Sequence, residues 1–315
     1  MFVPLVGRAG SSALPADVTT AALVAVLVLT GCGWLLPLLQ AARDPRRLVL
    51  GAWLVAGLTA LLVLVTPLGS PYSEERPQRF MVFHTRRTLH ACAGGWGEGE
   101  AEGEDLVENF YWVPELDANT PHSVDKYVSE MSAARPLSGA TCARLLYCGA
   151  PYYLPVRALV GASHAAPAPA APLPRLRARL AAAPLNGSAR ELTVHVAGPA
   201  HVVLLVAPPA GGRVLWLGGL GGPGGPGGLG APREAARWGR RRTYFVALHA
   251  ARAGPAAAWT VRAQLTGAGR ADVALAGHAL HGPERLHEDH ARLLAAFPPW
   301  VAATGWGVDL HLYRV

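Results

Sequence analysis

Two long apolar runs open the chain, and a mixed, alternating pattern fills the rest. From Val18 to Ala42 there are 25 residues without a charge, and from Leu48 to Tyr72 another 25. Each exceeds the roughly 20 residues that cross the hydrocarbon core of a bilayer as a helix. The runs predict two transmembrane helices, at about 18–42 and 48–69, joined by the tight segment Arg43-Asp44-Pro45-Arg46-Arg47. Residues 1–17 form a short tail with no recognisable folded unit. Three arginines against one aspartate place the 43–47 loop in the cytosol, so that both ends of the chain face the lumen or exterior. Arg76, Arg79, Arg86 and Arg87 follow the second run and blunt this asymmetry.

After Tyr72 short runs of period two dominate. Glu191–Val196, His201–Ala207, Arg213–Leu217, Thr243–His249, Trp259–Leu265 and Asp272–Leu280 are each bounded by Gly, Pro or Ala-rich turns, and they read as strands of an antiparallel sandwich or barrel. Arg79–Phe83 and Asn109–Val113 carry the same signal, and a helix is expected from about Gly282 to Phe297. The fold class is therefore a two-helix transmembrane hairpin followed by a mainly β, antiparallel sandwich-like luminal domain over 73–315, with a short C-terminal helix. Gly218–Pro232 reads as a flexible loop, Gly94–Asp105 as a solvated acidic loop and Ala165–Pro174 as a spacer. Leu29-Thr30-Gly31-Cys32 looks like a lipoprotein cleavage box, but the apolar run continues past it through Leu39. A cleaved signal has a short apolar region that stops near its cleavage site, so an uncleaved helix is expected.

Composition narrows the class further. With 51% hydrophobic and only 16% charged residues the chain is neither wholly disordered nor an ordinary soluble protein. Its formal charge of +7 raises nucleic acid as a partner. Lys126 is the only lysine and isoleucine is absent, however, a bias of GC-rich coding. The arginines form no aromatic-interleaved stripe, so no nucleic-acid partner is expected.

Candidate chemistry is sparse. Cys142 and Cys148 enclose Ala-Arg-Leu-Leu-Tyr and would form a disulfide in an oxidising lumen, leaving Cys92 odd. The cysteines lack the paired CxxC spacing of a zinc site. Asn186-Gly187-Ser188 is the one glycosylation sequon, since Pro121 blocks Asn119. His287-Glu288-Asp289-His290, with His278 and His281 upstream, invites a metal reading. It is not HExxH, and beyond His290 only Asp309 and His311 follow His287-x-Asp289 to complete a two-metal site. No catalytic and no metal-ligating residue is therefore assigned. Trp96, Tyr111, Trp112, Tyr152 and Tyr153 could form an aromatic binding platform or pack in the core.

Several ordered blocks resemble a known family. They are Thr66-Pro67-Leu68-Gly69-Ser70-Pro71-Tyr72, Pro77-Gln78-Arg79, His84-Thr85-Arg86-Arg87-Thr88-Leu89-His90, Cys148-Gly149-Ala150-Pro151-Tyr152-Tyr153-Leu154-Pro155-Val156 and Phe297-Pro298-Pro299-Trp300. Together they resemble the C-terminal region of the endoplasmic reticulum metallopeptidase 1 family over roughly residues 48–315. The resemblance implies a larger protein: a luminal di-zinc peptidase domain, a multi-helix membrane region and a luminal C-terminal domain. This chain then corresponds to the last two membrane helices and the final domain, a non-catalytic anchor and luminal module in the endoplasmic reticulum membrane. Zinc belongs to the missing peptidase domain and no cofactor to this chain. Its partners are the lipid bilayer, the parent peptidase domain and other transmembrane helices. The alternative from the residues themselves is a stand-alone membrane protein whose β domain binds a glycan or a protein.

Overall fold

In a computed structural model, residues 16–33, 37, 41–66, 72–91, 104–116, 119–137, 139–153, 159, 161–185, 189–219, 232–250 and 257–315 are described. Asn186, Cys92, Trp96 and most of the acidic and Gly/Pro loops lie outside them. The chain divides into two compact units. One takes in the described residues up to Arg79 with Leu116 and Pro298–Ala302, and the other takes in Phe80–Glu115, Asn119–Phe297 and Ala303–Val315.

The first unit holds helices α1 (Ala16–Cys32) and α2 (Pro45–Val65). Helix α2 begins within the segment expected to be loop, because Pro45 suits the first helical turn and the Asp44 carboxylate accepts the Arg47 N–H at 3.4 Å. It stops at Val65, short of the expected Leu68-Gly69 end, where Thr66 turns extended and donates to the Leu62 carbonyl. With 21 residues and a mean hydropathy of 2.6, α2 is the one helix among the described residues long and apolar enough to cross a membrane. Its described side chains include none that are buried. Helix α1 spans 17 residues, about 26 Å at 1.5 Å per residue, short of a hydrocarbon core.

The second unit is mainly β, with the first two residues of β1 and of β13 counted in the first unit. Its strands are β1 (Gln78–Leu89), β2 (Leu106–Pro114), β3 (Arg135–Pro136), β4 (Ser163–Pro167), β5 (Arg177–Pro184), β6 (Arg190–Gly198), β7 (His201–Ala207), β8 (Val214–Gly218), β9 (Glu234–Trp238), β10 (Arg241–His249), β11 (Ala257–Leu265), β12 (Asp272–Ala279) and β13 (Val301–Arg314). Nine form one sheet in the order β3-β4-β2-β1-β13-β12-β7-β10-β9, and four form a second in the order β5-β6-β11-β8. All the expected strands occur, most with bounds shifted by a few residues. β1 and β2 run longer than expected, and β4 takes the start of the expected spacer. The C-terminal helix is shorter than expected, covering Glu288–Ala295 only.

One strand pair departs from the antiparallel expectation. Gln78 N–H donates to Trp300 C=O and His90 N–H to Leu312 C=O, so position rises together along β1 and β13 and the pair is parallel. Strand β13 was not legible as a strand, yet it sits in the middle of the large sheet. Trp306, Val308, Leu310 and Leu312 enter the core on one face, while Asp309 is buried on the other.

Alternation sets the layers. On β7, Val202, Leu204 and Val206 face the small sheet, where they meet Leu192, Val194 and Val196 of β6 and Val261, Ala263 and Leu265 of β11. Val203, Leu205 and Ala207 face the opposite way, into a second core roofed by Leu145, Leu146, Tyr147 and Tyr152. β7 is therefore apolar at nearly every position and buried on both faces. Leu176, just before β5, plugs between the sheets, and a Cβ at Gly198 or Gly277 would lie under 3 Å from its Cδ1. Its N–H donates to the Asp309 carboxylate at 2.8 Å, which fixes where β5 begins.

Candidate functional site

The roof of the second core is built around Cys142 and Cys148. Short helices α3 (Ser129–Ser132) and α4 (Ala140–Arg144) lead into a turn at Leu146–Gly149. There Tyr147 and Cys148 take φ of 50° and 60°, an uncommon conformation for residues with a side chain. Cys142 and Cys148 are joined in a disulfide. Carbonyls of this segment are held from the sheet: Trp238 donates to Cys142 at 2.6 Å, Arg314 to Arg144 at 3.2 Å and Arg87 to Gly149 at 3.1 Å. The Tyr147 hydroxyl meets Thr243 Oγ1 at 2.6 Å, and burial pushes its pKa up. Arg87 is itself buried, paired with Glu108 and stacked over Phe110 at 4.8 Å. Buried charges persist only when paired and hydrogen-bonded, and this one is both. The Trp238, Arg314 and Arg87 anchors all hold backbone carbonyls of the roof in place.

Tyr111, Trp112 and Tyr152 are at most 2% exposed and pack in the interior. Trp112 stands edge-on to Tyr152 at 5.3 Å and tilted against Phe83 at 4.9 Å. They are core residues and offer no exposed aromatic platform.

Between the two sheets, on the side of β1 and β13, runs a polar line that sequence reasoning missed. His90 Nδ1 lies 2.9 Å from the Asp105 carboxylate and its Nε2 2.7 Å from His311 Nδ1. His311 Nε2 lies 3.2 Å from Asp309, which also accepts from Arg86 Nε at 3.0 Å. Burial pushes the Asp309 carboxyl up, but bonds from His311 and Arg86 outweigh it and hold the group below its ordinary value. Burial and the neighbouring His311 lower His90. The signal was present as alternation, Arg86-x-Thr88-x-His90 on one strand and Asp309-x-His311 on another. Their pairing depends on a parallel contact between strands over 200 residues apart.

The histidine-rich stretch disperses. Glu288 is exposed, and Asp289 pairs with Arg292 at 2.9 Å and faces His287 at 3.4 Å. His290 turns inward with no exposed surface, against His84 and Tyr111 at ring separations of 5.8 and 5.6 Å. Burial and the neighbouring His84 hold it neutral, its pKa pushed down to about 3. A Cβ on Gly305 would clash with the Val82 carbonyl and come 2.6 Å from His290 Nε2, so a glycine is what admits this ring.

A third group of histidines lines up across the sheet, with His249, His201 and His278 in one register row of β10, β7 and β12. His201 Nδ1 meets His249 Nδ1 at 2.8 Å, and Trp306 Nε1 donates to His278 Nδ1 at 3.0 Å. His278 therefore accepts through Nδ1 and carries its proton on Nε2, the reverse of an imidazole that ligates through Nε2 and donates through Nδ1. Burial and the neighbouring His249 push His201 down to about 4, and burial pushes His278 well down. Among the described residues no group of three or more His, Cys, Asp or Glu is placed to hold a metal ion.

The order of these blocks along the chain can be set against known proteins. The sequence profile described as "Endoplasmic reticulum metallopeptidase 1, C-terminal domain" matches residues 75–313. The chain belongs to this family. It is 27% identical over 323 residues to endoplasmic reticulum metallopeptidase 1 of Mus musculus, covering 99% of this chain and 33% of that protein. The Homo sapiens protein is 26% identical over 322 residues with the same coverage. The chain thus spans about a third of the length of these relatives. Among solved structures, the Fcho1 Mu homology domain from Danio rerio with bound Eps15 peptide is 11% identical over 76% of this chain and 96% of that one. Its TM-score is 0.26, too low to carry an argument. The family's name implies a metal, and the histidines and carboxylates described above do not fit one.

Proposed function

We propose that this chain is the non-catalytic membrane-anchor and luminal C-terminal module of an endoplasmic reticulum zinc metallopeptidase. The match of the family's C-terminal profile to residues 75–313 carries this reading. In it, residues 1–17 are a luminal tail and 18–72 hold a two-helix hairpin, of which α2 is the second member. The loop around Arg43, Arg46 and Arg47 is cytosolic, and 73–315 fold in the lumen of the endoplasmic reticulum. Peptidase activity and its zinc belong to the remaining two thirds of a protein like the relatives. The module's partners are the bilayer, that peptidase domain and neighbouring transmembrane helices. His201, His278 and His290 are enclosed in the core and held neutral. A stand-alone binding protein with an aromatic platform is disfavoured by the burial of Tyr111, Trp112 and Tyr152.

Topology tests the reading. In sealed microsomes the domain should resist added protease and carry one glycan, removed by glycosidase with a single mobility shift and absent in Asn186→Gln. Digestion of the domain in intact vesicles, with no glycan, would overturn the luminal assignment.

A further inference from the structure

The small sheet ends in an edge that nothing among the described residues covers. β5 pairs with β6 alone, in the register Arg177↔Ala197 to Pro184↔Arg190, and no backbone hydrogen bond from the described residues reaches its other side. Arg175, just before the strand, and Arg177 and Arg179 within it are all exposed and alternate with the inward-facing Leu176, Ala178 and Leu180. Arg177 and Arg179 therefore leave the same outer face at the repeat of about 6.7 Å that alternate strand residues share, and exposed Arg175 precedes them on the chain. Exposed His195 lies opposite Arg179 on β6, and exposed Arg262 lies one row further on, opposite Thr193. None of these four arginines has an ion-pair partner among the described residues. The strand is firmly seated, because Leu176 plugs the space beside Gly198 and Gly277 and bonds Asp309. Beyond the arginines the edge is small: Ala181, Ala182 and Ala183 leave room for a backbone to approach.

We propose that the free edge of β5 docks an extended acidic segment of a partner protein. The segment adds to the small sheet as a fifth strand and sets carboxylates at alternate positions against Arg175, Arg177 and Arg179. Two features select this occupant. The open row of N–H and C=O groups is satisfied by another backbone, which a lipid headgroup surface does not offer. Arg177 and Arg179 have the spacing of a strand and Arg175 continues their alternation, so a strand bearing acids at every second residue meets this charge. The same arginines repel a second copy of β5, so they blunt self-pairing while leaving an acidic strand welcome.

The test uses the full chain in detergent micelles and a fluorescent ten-residue peptide alternating glutamate and threonine, with binding read by anisotropy. Saturable binding is expected. It should weaken at least about tenfold in Arg175→Glu/Arg177→Glu/Arg179→Glu, and a lysine–threonine peptide should bind that variant in its place. Arg177→Gln/Arg179→Gln gives the same direction should the triple variant fold poorly. A peptide N-methylated at the alternate amides that face β5 should lose binding with its charge intact. Equal binding of the N-methylated or a glutamate-clustered peptide would reduce the effect to non-specific ionic attraction and overturn strand addition. Binding unaltered in the arginine variants, or seen only with anionic lipid vesicles, would also overturn it.

Discussion

Acid should destabilise the β domain well before its carboxylates are protonated. His201, His278 and His290 are at most 3% exposed and neutral in the fold, with His201 pushed down to about 4 and His290 to about 3. In the unfolded chain each returns to a pKa near 6.5. Between the folded and unfolded values the unfolded state binds more protons, so stability falls as pH falls. Going from pH 7 to pH 5, a histidine that stays neutral when folded but protonates when unfolded costs about 2 kcal/mol, so His201 and His290 together cost about 4 kcal/mol. His278, lowered in the same direction, adds to that loss. The depressed Asp309 carboxyl does not offset it, since its own contribution is lost only as pH falls through its folded pKa, below the ordinary carboxylate range. Against a typical domain stability of about 5–15 kcal/mol, the loss is large. Urea unfolding in detergent micelles, followed by tryptophan fluorescence at pH 7, 6 and 5, measures it. The slope should drop by nearly one proton in His290→Gln and again in His201→Gln. Stability flat across this range, or a slope unchanged in both variants, would refute the reasoning.

Breaking the Cys142–Cys148 link by Cys142→Ser/Cys148→Ser should lower stability by about 2 kcal/mol, because the closed loop is short. Non-reducing peptide mapping should recover the two cysteines as one linked fragment in the parent chain, and recovery of both as alkylated thiols would contradict the pairing. Gly305→Ala should cost about 2 kcal/mol, since its methyl meets the Val82 carbonyl and displaces the buried His290 ring; a melting temperature within a degree of the parent would show that the contact yields freely.

Much of the β domain could be read from period-two runs. His201–Ala207 was legible to the residue because turns bound it and both of its faces are buried. β13 was not, because its alternate face carries Asp309, His311 and Tyr313, polar residues that the fold buries or half-buries against β1 and the loop before β5. The parallel β1–β13 contact that joins Arg86 to Asp309 is a long-range event with no local signature. Asp44 and Pro45 were read as loop on charge grounds, whereas capping chemistry makes them the start of α2. The histidine-rich stretch drew attention as a possible metal site, and composition did not reveal that a glycine at 305 lets His290 turn into the core.

The central claim, a family member's domain without hydrolytic chemistry of its own, is tested most directly by assaying the purified full chain for zinc and for turnover. After mild chelation it should hold well under one equivalent of tightly bound zinc, and it should leave aminopeptidase and dipeptide substrates intact whether or not zinc is added. Zinc-dependent cleavage that disappears in His287→Ala or Asp289→Ala would contradict the account and make the helix at 288–295 part of an active site.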